Sequence, residues 1–120
     1  MTNQPLLDPN AIEALRAVSP DDGGAFFCEL VDIFLQDTPK RIAEIELSLA
    51  TKNATDLTRA AHSIKGSASN FGALALCDIA RRMEQAGKDQ TYPTVQTLLP
   101  ALQTEFTRVK AALENLRLGK

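Results

Sequence analysis

His62 is the only histidine in the chain, and the residue types around it could carry nucleophilic chemistry. At helical spacing, Lys65, Gly66 and Ser69 follow it on one face, while Thr58 and Arg59 lie one turn before it. A neutral imidazole is a competent nucleophile. Lys65 would place a cation close enough to stabilise negative charge arriving on the ring. Gly66 costs about 1 kcal/mol against alanine in mid-helix, and its missing side chain leaves the imidazole accessible to another macromolecule. Each feature alone has a plain structural explanation: a surface histidine, a surface lysine, a glycine that eases packing. Their joint occurrence on one face is what points to function.

Other chemistries are served less well. A hydrolase pairing Ser63 or Ser67 with His62 fails because neighbouring residues on a helix point apart, and no turn or helix start offers an oxyanion site. Cys28 and Cys77 are isolated and form no C-x-x-C pair, so neither a disulfide framework nor a zinc site is indicated. No acidic cluster is placed to hold a divalent metal, and there is no glycine-rich phosphate loop. With 120 residues the chain has room for one domain, 1–120. Its 44% hydrophobic and 23% charged composition is that of an ordinary globule. A net charge of −2 gives no basic footprint for nucleic acid or anionic lipid. No stretch approaches the roughly 18 apolar residues of a membrane span, and residues 1–10 lack the positive segment of a secretory signal. The expectation is a reduced, cytoplasmic protein.

The elements that must position His62 are helical throughout, with no sustained strand alternation. Asp8 suits an N-cap, Pro9 the first helical position, and Leu7 a staple onto Ile12. This short helix, about 8–18, would bury Ile12 and Leu15 and stop at Ser19-Pro20-Asp21-Asp22-Gly23-Gly24. A long helix over about 25–50 carries the stripe Phe27, Leu30, Val31, Phe34, Thr38, Ile42, Ile45 and Leu49, with a kink expected at Pro39. Asn53, three residues before Asp56, caps a third helix over about 54–71 that buries Leu57, Ala61, Ile64, Ala68 and Phe71. His62 lies roughly 140° from the centre of that stripe and points to solvent. Gly72 breaks the chain before a fourth helix, about 73–87, with Leu76, Ile79, Ala80 and Met83 inward. Gly87 fits the position just past its end, where φ > 0 is usual. The last helix, about 93–117, buries Val95, Leu98, Leu99, Leu102, Phe106, Val109, Leu113 and Leu116, with Pro100 marking a kink or the true first turn. Short links favour antiparallel neighbours, so the fold class is all-α: an antiparallel four-helix bundle with a short additional N-terminal helix.

The run Ala61-His62-Ser63-Ile64-Lys65-Gly66-Ser67-Ala68-Ser69-Asn70-Phe71-Gly72-Ala73 closely resembles the signature of histidine-containing phosphotransfer (HPt) domains, His-x-x-Lys-Gly followed by small residues and Gly-Ala. Phe34-Leu35-Gln36-Asp37-Thr38-Pro39-Lys40-Arg41-Ile42 looks like the family's long second helix and Met83-Glu84 like its fourth, so the resemblance covers essentially the whole chain. Ile64 and Phe71 stand where leucine is frequent in the family, and both are apolar.

The resemblance implies a phosphorelay intermediate. His62 would take a phosphoryl group from an aspartate of one receiver domain and pass it to an aspartate of another response regulator. Lys65 would support the phosphoryl group and Gly66 give clearance. The family usually has a polar residue, often glutamine, on the next helix to orient the ring, and Glu84 occupies that place. A carboxylate there can accept a hydrogen bond from the ring but would repel a phosphoryl group; the plain alternative is a solvated surface charge. Arg81, Glu84 and Lys88 share a face, so Lys88 could add positive potential. Phosphoryl transfer is mostly positioning and electrostatics, and the resemblance implies that the receiver brings both the aspartate and Mg²⁺. The chain would have no cofactor of its own and no ATP-dependent kinase activity.

Expected partners are receiver domains and a hybrid sensor histidine kinase, with Thr58, Arg59, Ser69, Asn70 and Lys88 as candidate contacts. Ile33 and Leu35 lie off the main stripe of the second helix, and cover beneath the first helix is favoured over partner contact. One active face and modest charge suggest a monomer, and Met1 with apparently complete ends leans towards a free-standing carrier. The competing expectation is a non-transferring adaptor that docks and inhibits a kinase or receiver. Retention of both His62 and Lys65 speaks against it, since an adaptor needs neither.

Overall fold

Asp8 opens the first helix by accepting a hydrogen bond from the Asn10 N–H, with Pro9 in the first turn. The computed structural model describes residues 6–19 and 21–117. These form five helices: α1 (Pro9–Ala17), α2 (Ala25–Thr51), α3 (Ala54–Asn70), α4 (Leu74–Lys88) and α5 (Tyr92–Arg117). No strand occurs among the described residues. Residues 1–5 and Pro20, on which part of the signal-peptide and breaker readings rest, lie outside them.

Helix starts follow their capping chemistry. Asn53 accepts from the Asp56 N–H at 3.1 Å and starts α3. At α2 the helix-proximal glycines are left-handed, φ 69° at Gly23 and 87° at Gly24. The capping oxygens come from Asp22, which accepts from the Gly24 and Phe26 N–H groups at 2.9 Å. Pro39 stands inside α2, which continues past it. Pro100 also lies inside its helix: α5 begins at Tyr92, so Pro100 does not mark the first turn.

In the bundle, α2 packs on α3, α3 on α4, α4 on α5, and α5 returns to α2, while α1 lies against α2. The α2–α5 pair is antiparallel. The Tyr92 hydroxyl at the start of α5 donates to the Lys52 carbonyl just past the end of α2, at 3.0 Å. At the other end, Arg117 donates to both oxygens of Asp32, at 2.7 and 3.1 Å. The core joins Val31, Phe34 and Ile45 of α2 to Leu57 and Ile64 of α3, Leu76 and Met83 of α4, and Leu102, Val109 and Leu113 of α5. Leu30, Leu49, Ile79, Leu98, Leu99 and Leu116 flank this core half-buried.

Phe71 closes α3 and packs on Phe34 with ring centroids 5.2 Å apart. Gly72 then turns the chain with φ 64°, a conformation glycine adopts without the steric cost a side chain would carry. Its carbonyl accepts the Asp8 N–H at 2.9 Å. A side chain at Gly72 would collide with Asp8 and Ala11, so the same glycine lets α1 dock on the α3–α4 corner.

Two sequence expectations change. Gly87 does not follow α4: it is buried within it, and the left-handed residue past the helix is Gln90, φ 57°. Ile33 is not covered by α1 but is 55% exposed, lining a groove with Leu30, Asp37, Ser67 and Asn70. Leu35 is half-buried against the core.

Candidate functional site

The inward stripe of α3, with Leu57, Ala61, Ile64 and Ala68 all within 1% of full burial, turns His62 outward. Its side chain is 64% exposed. The ring is nevertheless held: Nδ1 lies 2.9 Å from Oε2 of Glu84 on α4.

Glu84 is the residue that organises the site. Its side chain is only 10% exposed, and its other oxygen, Oε1, accepts from Lys65 Nζ at 2.7 Å. Lys88 Nζ stands 3.7 Å from Oε2, one turn along α4. Burial works to raise the Glu84 carboxyl, but hydrogen bonds from Lys65 and His62, with their charges, hold it below the usual carboxylate range. The carboxylate is therefore ionised near neutral pH and can only accept hydrogen bonds. His62 Nδ1 must carry the proton it shares with Glu84. In the neutral ring the lone pair then resides on Nε2, and that is the nitrogen left to react.

This geometry removes the reading of Glu84 as a solvated surface charge. It also places Lys65 differently from a cation waiting beside the ring, since its ammonium is bound to Glu84. Gly66 is exposed, and a Cβ built there would meet nothing within 4 Å. No packing within the described chain requires a glycine at that position.

The remaining sequence candidates separate into two groups. Arg59, Ser69 and Asn70 are exposed on α3, Arg59 within 3.4 Å of Asp56, and Lys88 is 57% exposed beside Glu84. Thr58 is half-buried, its hydroxyl turned into the α3–α4 seam towards Gly87. Arg81 shares the helix but not the cluster, because it pairs with Asp78 at 2.6 Å. Cys28 and Cys77 are free thiols. Among the described residues no three His, Cys, Asp or Glu side chains converge as a metal site would require.

Fold and site together define a helical bundle that presents one histidine on an exposed helix face, its ring held from below by a buried carboxylate. A family model for the Hpt domain matches residues 29–117, and the chain belongs to that family. Among solved structures it is similar to histidine-containing phosphotransfer protein B from Pseudomonas aeruginosa PAO1. The two are 25% identical, with 98% of this chain and 99% of that one covered and a TM-score of 0.88. A rice chain assigned provisionally as a histidine-containing phosphotransfer protein shares the fold at 22% identity and TM-score 0.82, covering 94% of this chain and 80% of that one. One from maize does so at 21% and 0.81, covering 95% and 83%. No curated protein matches the sequence. The family supports histidine phosphotransfer within a phosphorelay, its members acting as phosphotransfer intermediates, not kinases, and pairing with receiver and kinase proteins. Among the described residues no helix is long and apolar enough to cross a membrane.

Proposed function

We propose that His62 accepts a phosphoryl group from a receiver-domain aspartate and relays it to the aspartate of a second response regulator. The observation that carries this reading is the Glu84–His62 hydrogen bond, which fixes the proton on Nδ1 and leaves Nε2 as the nucleophile. In the forward step Nε2 attacks phosphorus, an N–P bond forms, the acyl-phosphate P–O bond breaks, and the receiver's carboxylate leaves. The proton stays on Nδ1, hydrogen-bonded to Glu84, whose negative charge stabilises the cationic ring as bond formation proceeds. The reverse step onto a second aspartate needs no new group from this chain.

Open space at Gly66 supports the same reading, because the approaching receiver is what the absent side chain spares. Lys65, bridged to Glu84, lies close enough to the ring to turn towards an incoming phosphoryl group. Mg²⁺ comes with the receiver domain and neutralises the charge on the transferring oxygens. Arg59, Ser69, Asn70 and Lys88 rim the approach, and the working unit is the monomer in the cytoplasm.

The test is transfer itself. Wild type and His62→Gln are mixed with a radiolabelled phospho-receiver and Mg²⁺, followed by a second, unlabelled receiver. Label should pass onto the wild type and then onward, and never onto the variant. Label that stays on the first receiver despite a folded wild type, or that reaches the variant equally, contradicts the relay.

A further inference from the structure

Two glycines lie inside the helices that form the site, and they face opposite ways. Gly66 faces open space. Gly87 faces the seam between α4 and α3, where an added Cβ would stand 2.6 Å from Thr58 Oγ1, 2.8 Å from Leu57 Cδ2 and 3.4 Å from the Thr58 backbone nitrogen. Ordinary contact begins at 3.4 Å. Gly87 has no left-handed φ to explain it, so its helix-propensity cost of about 1 kcal/mol is matched only by this close approach.

The register makes the approach matter for chemistry. Antiparallel α3 and α4 bring Thr58 opposite Gly87 and His62 opposite Glu84, and these two rungs are one helical turn apart on each helix. We propose that Gly87 is a positioning residue, whose missing side chain sets the α3–α4 separation that puts the Glu84 carboxylate between His62 and Lys65. The Leu57 methyl is the far end of a flexible side chain and can turn aside, whereas Thr58 is β-branched and has few rotamers to retreat into within a helix. A methyl group at position 87 must therefore push the helices apart. The contacts one turn away, at 2.9 and 2.7 Å, have little slack, since hydrogen bonds of this kind are made within about 3.2 Å. Losing them frees the ring to exchange its tautomer and leaves a buried carboxylate short of donors. The functional meaning rests on His62 being the phosphoryl acceptor, while the geometry can be tested without it.

Because the chain has a single histidine, its ring nitrogens give unambiguous nitrogen-15 NMR signals. These are recorded for wild type, Glu84→Gln, Gly87→Ala and Thr58→Ala/Gly87→Ala, alongside the rate of labelling by phosphoramidate. Wild type should show the Nδ1–H tautomer. Gly87→Ala should shift towards a tautomer mixture and label several-fold more slowly, and the double variant, with the colliding hydroxyl removed, should regain both properties. If Gly87→Ala does not fold, the double variant decides alone: a wild-type ring state supports the proposal and a released ring overturns it. A folded Gly87→Ala that loses thermal stability but keeps the Nδ1–H signal also overturns it. Should no variant, wild type included, accept a phosphoryl group while the ring signal still follows position 87, the positioning role stands and the carrier reading falls.

Discussion

Lys65 donates to Glu84 across the α3–α4 seam, Nζ to Oε1 at 2.7 Å, and the same carboxylate holds the His62 ring through its other oxygen. One buried anion thus serves two residues that the sequence presents as independent members of a motif. Its negative charge is what orients the ring, and the lysine is what keeps that charge tolerable at 10% exposure. Any substitution at Lys65 is therefore read by Glu84 as well as by an incoming phosphoryl group.

Lys65→Ala should destabilise the protein by about 1–2 kcal/mol, because a buried carboxylate oxygen loses its donor. Adding Glu84→Gln should recover part of that loss by removing the buried charge. Urea midpoints of the wild type, both single variants and the double variant measure the coupling. A Lys65→Ala protein as stable as wild type would show that the ion pair is dispensable.

Gly66→Gln should keep the fold and raise stability by up to about 1 kcal/mol, since glutamine is the better helix former and nothing in the described chain lies within 4 Å of the new Cβ. Transfer from a phospho-receiver should fall more than about tenfold, while labelling by a small phosphoramidate stays near wild type. Equal losses with both donors would place the effect at the ring and not at the partner's approach.

Acid sensitivity should separate Glu84 from the other carboxylates. Its folded-state pKa is held down by Lys65 and His62 against the opposing effect of burial. It therefore contributes stability that is present above its unfolded value and is lost as pH falls through the folded one. Asp32 and Asp78, also held low by arginine partners, act alike in wild type and Glu84→Gln and cancel in the difference. From about pH 5 downward the wild type should lose stability faster than the variant, so the two denaturation curves converge. Parallel curves over that range would mean that Glu84 is not selectively ionised in the fold.

What the sequence made legible follows the range of the interactions involved. Asp8 and Asn53 announce helix starts because capping acts within three residues, and the outward face of His62 follows from the periodicity of Leu57, Ile64 and Ala68. Gly87 is misread because a glycine near a helix end has two physical uses, a left-handed turn and a close approach. The left-handed role falls to Gln90, where no glycine marks it. The burial of Glu84 is invisible locally, since its donors lie on another helix, His62 being 22 residues away in sequence. Ile33 follows the same logic: its position off the stripe shows that it avoids the core, while only the placement of α1 decides whether anything covers it.

Whether His62 carries a phosphoryl group can be measured without any partner. Wild type and His62→Gln are treated with phosphoramidate, and their intact masses are recorded before and after mild acid. His62 is 64% exposed but gives the buried Glu84 one of its donors, so the variant should fold with a loss of no more than about 1–2 kcal/mol. One acid-labile phosphoryl group is expected on the wild type and none on the variant. An unmodified wild type, or an adduct that persists on His62→Gln, would contradict His62 as the phosphoryl acceptor.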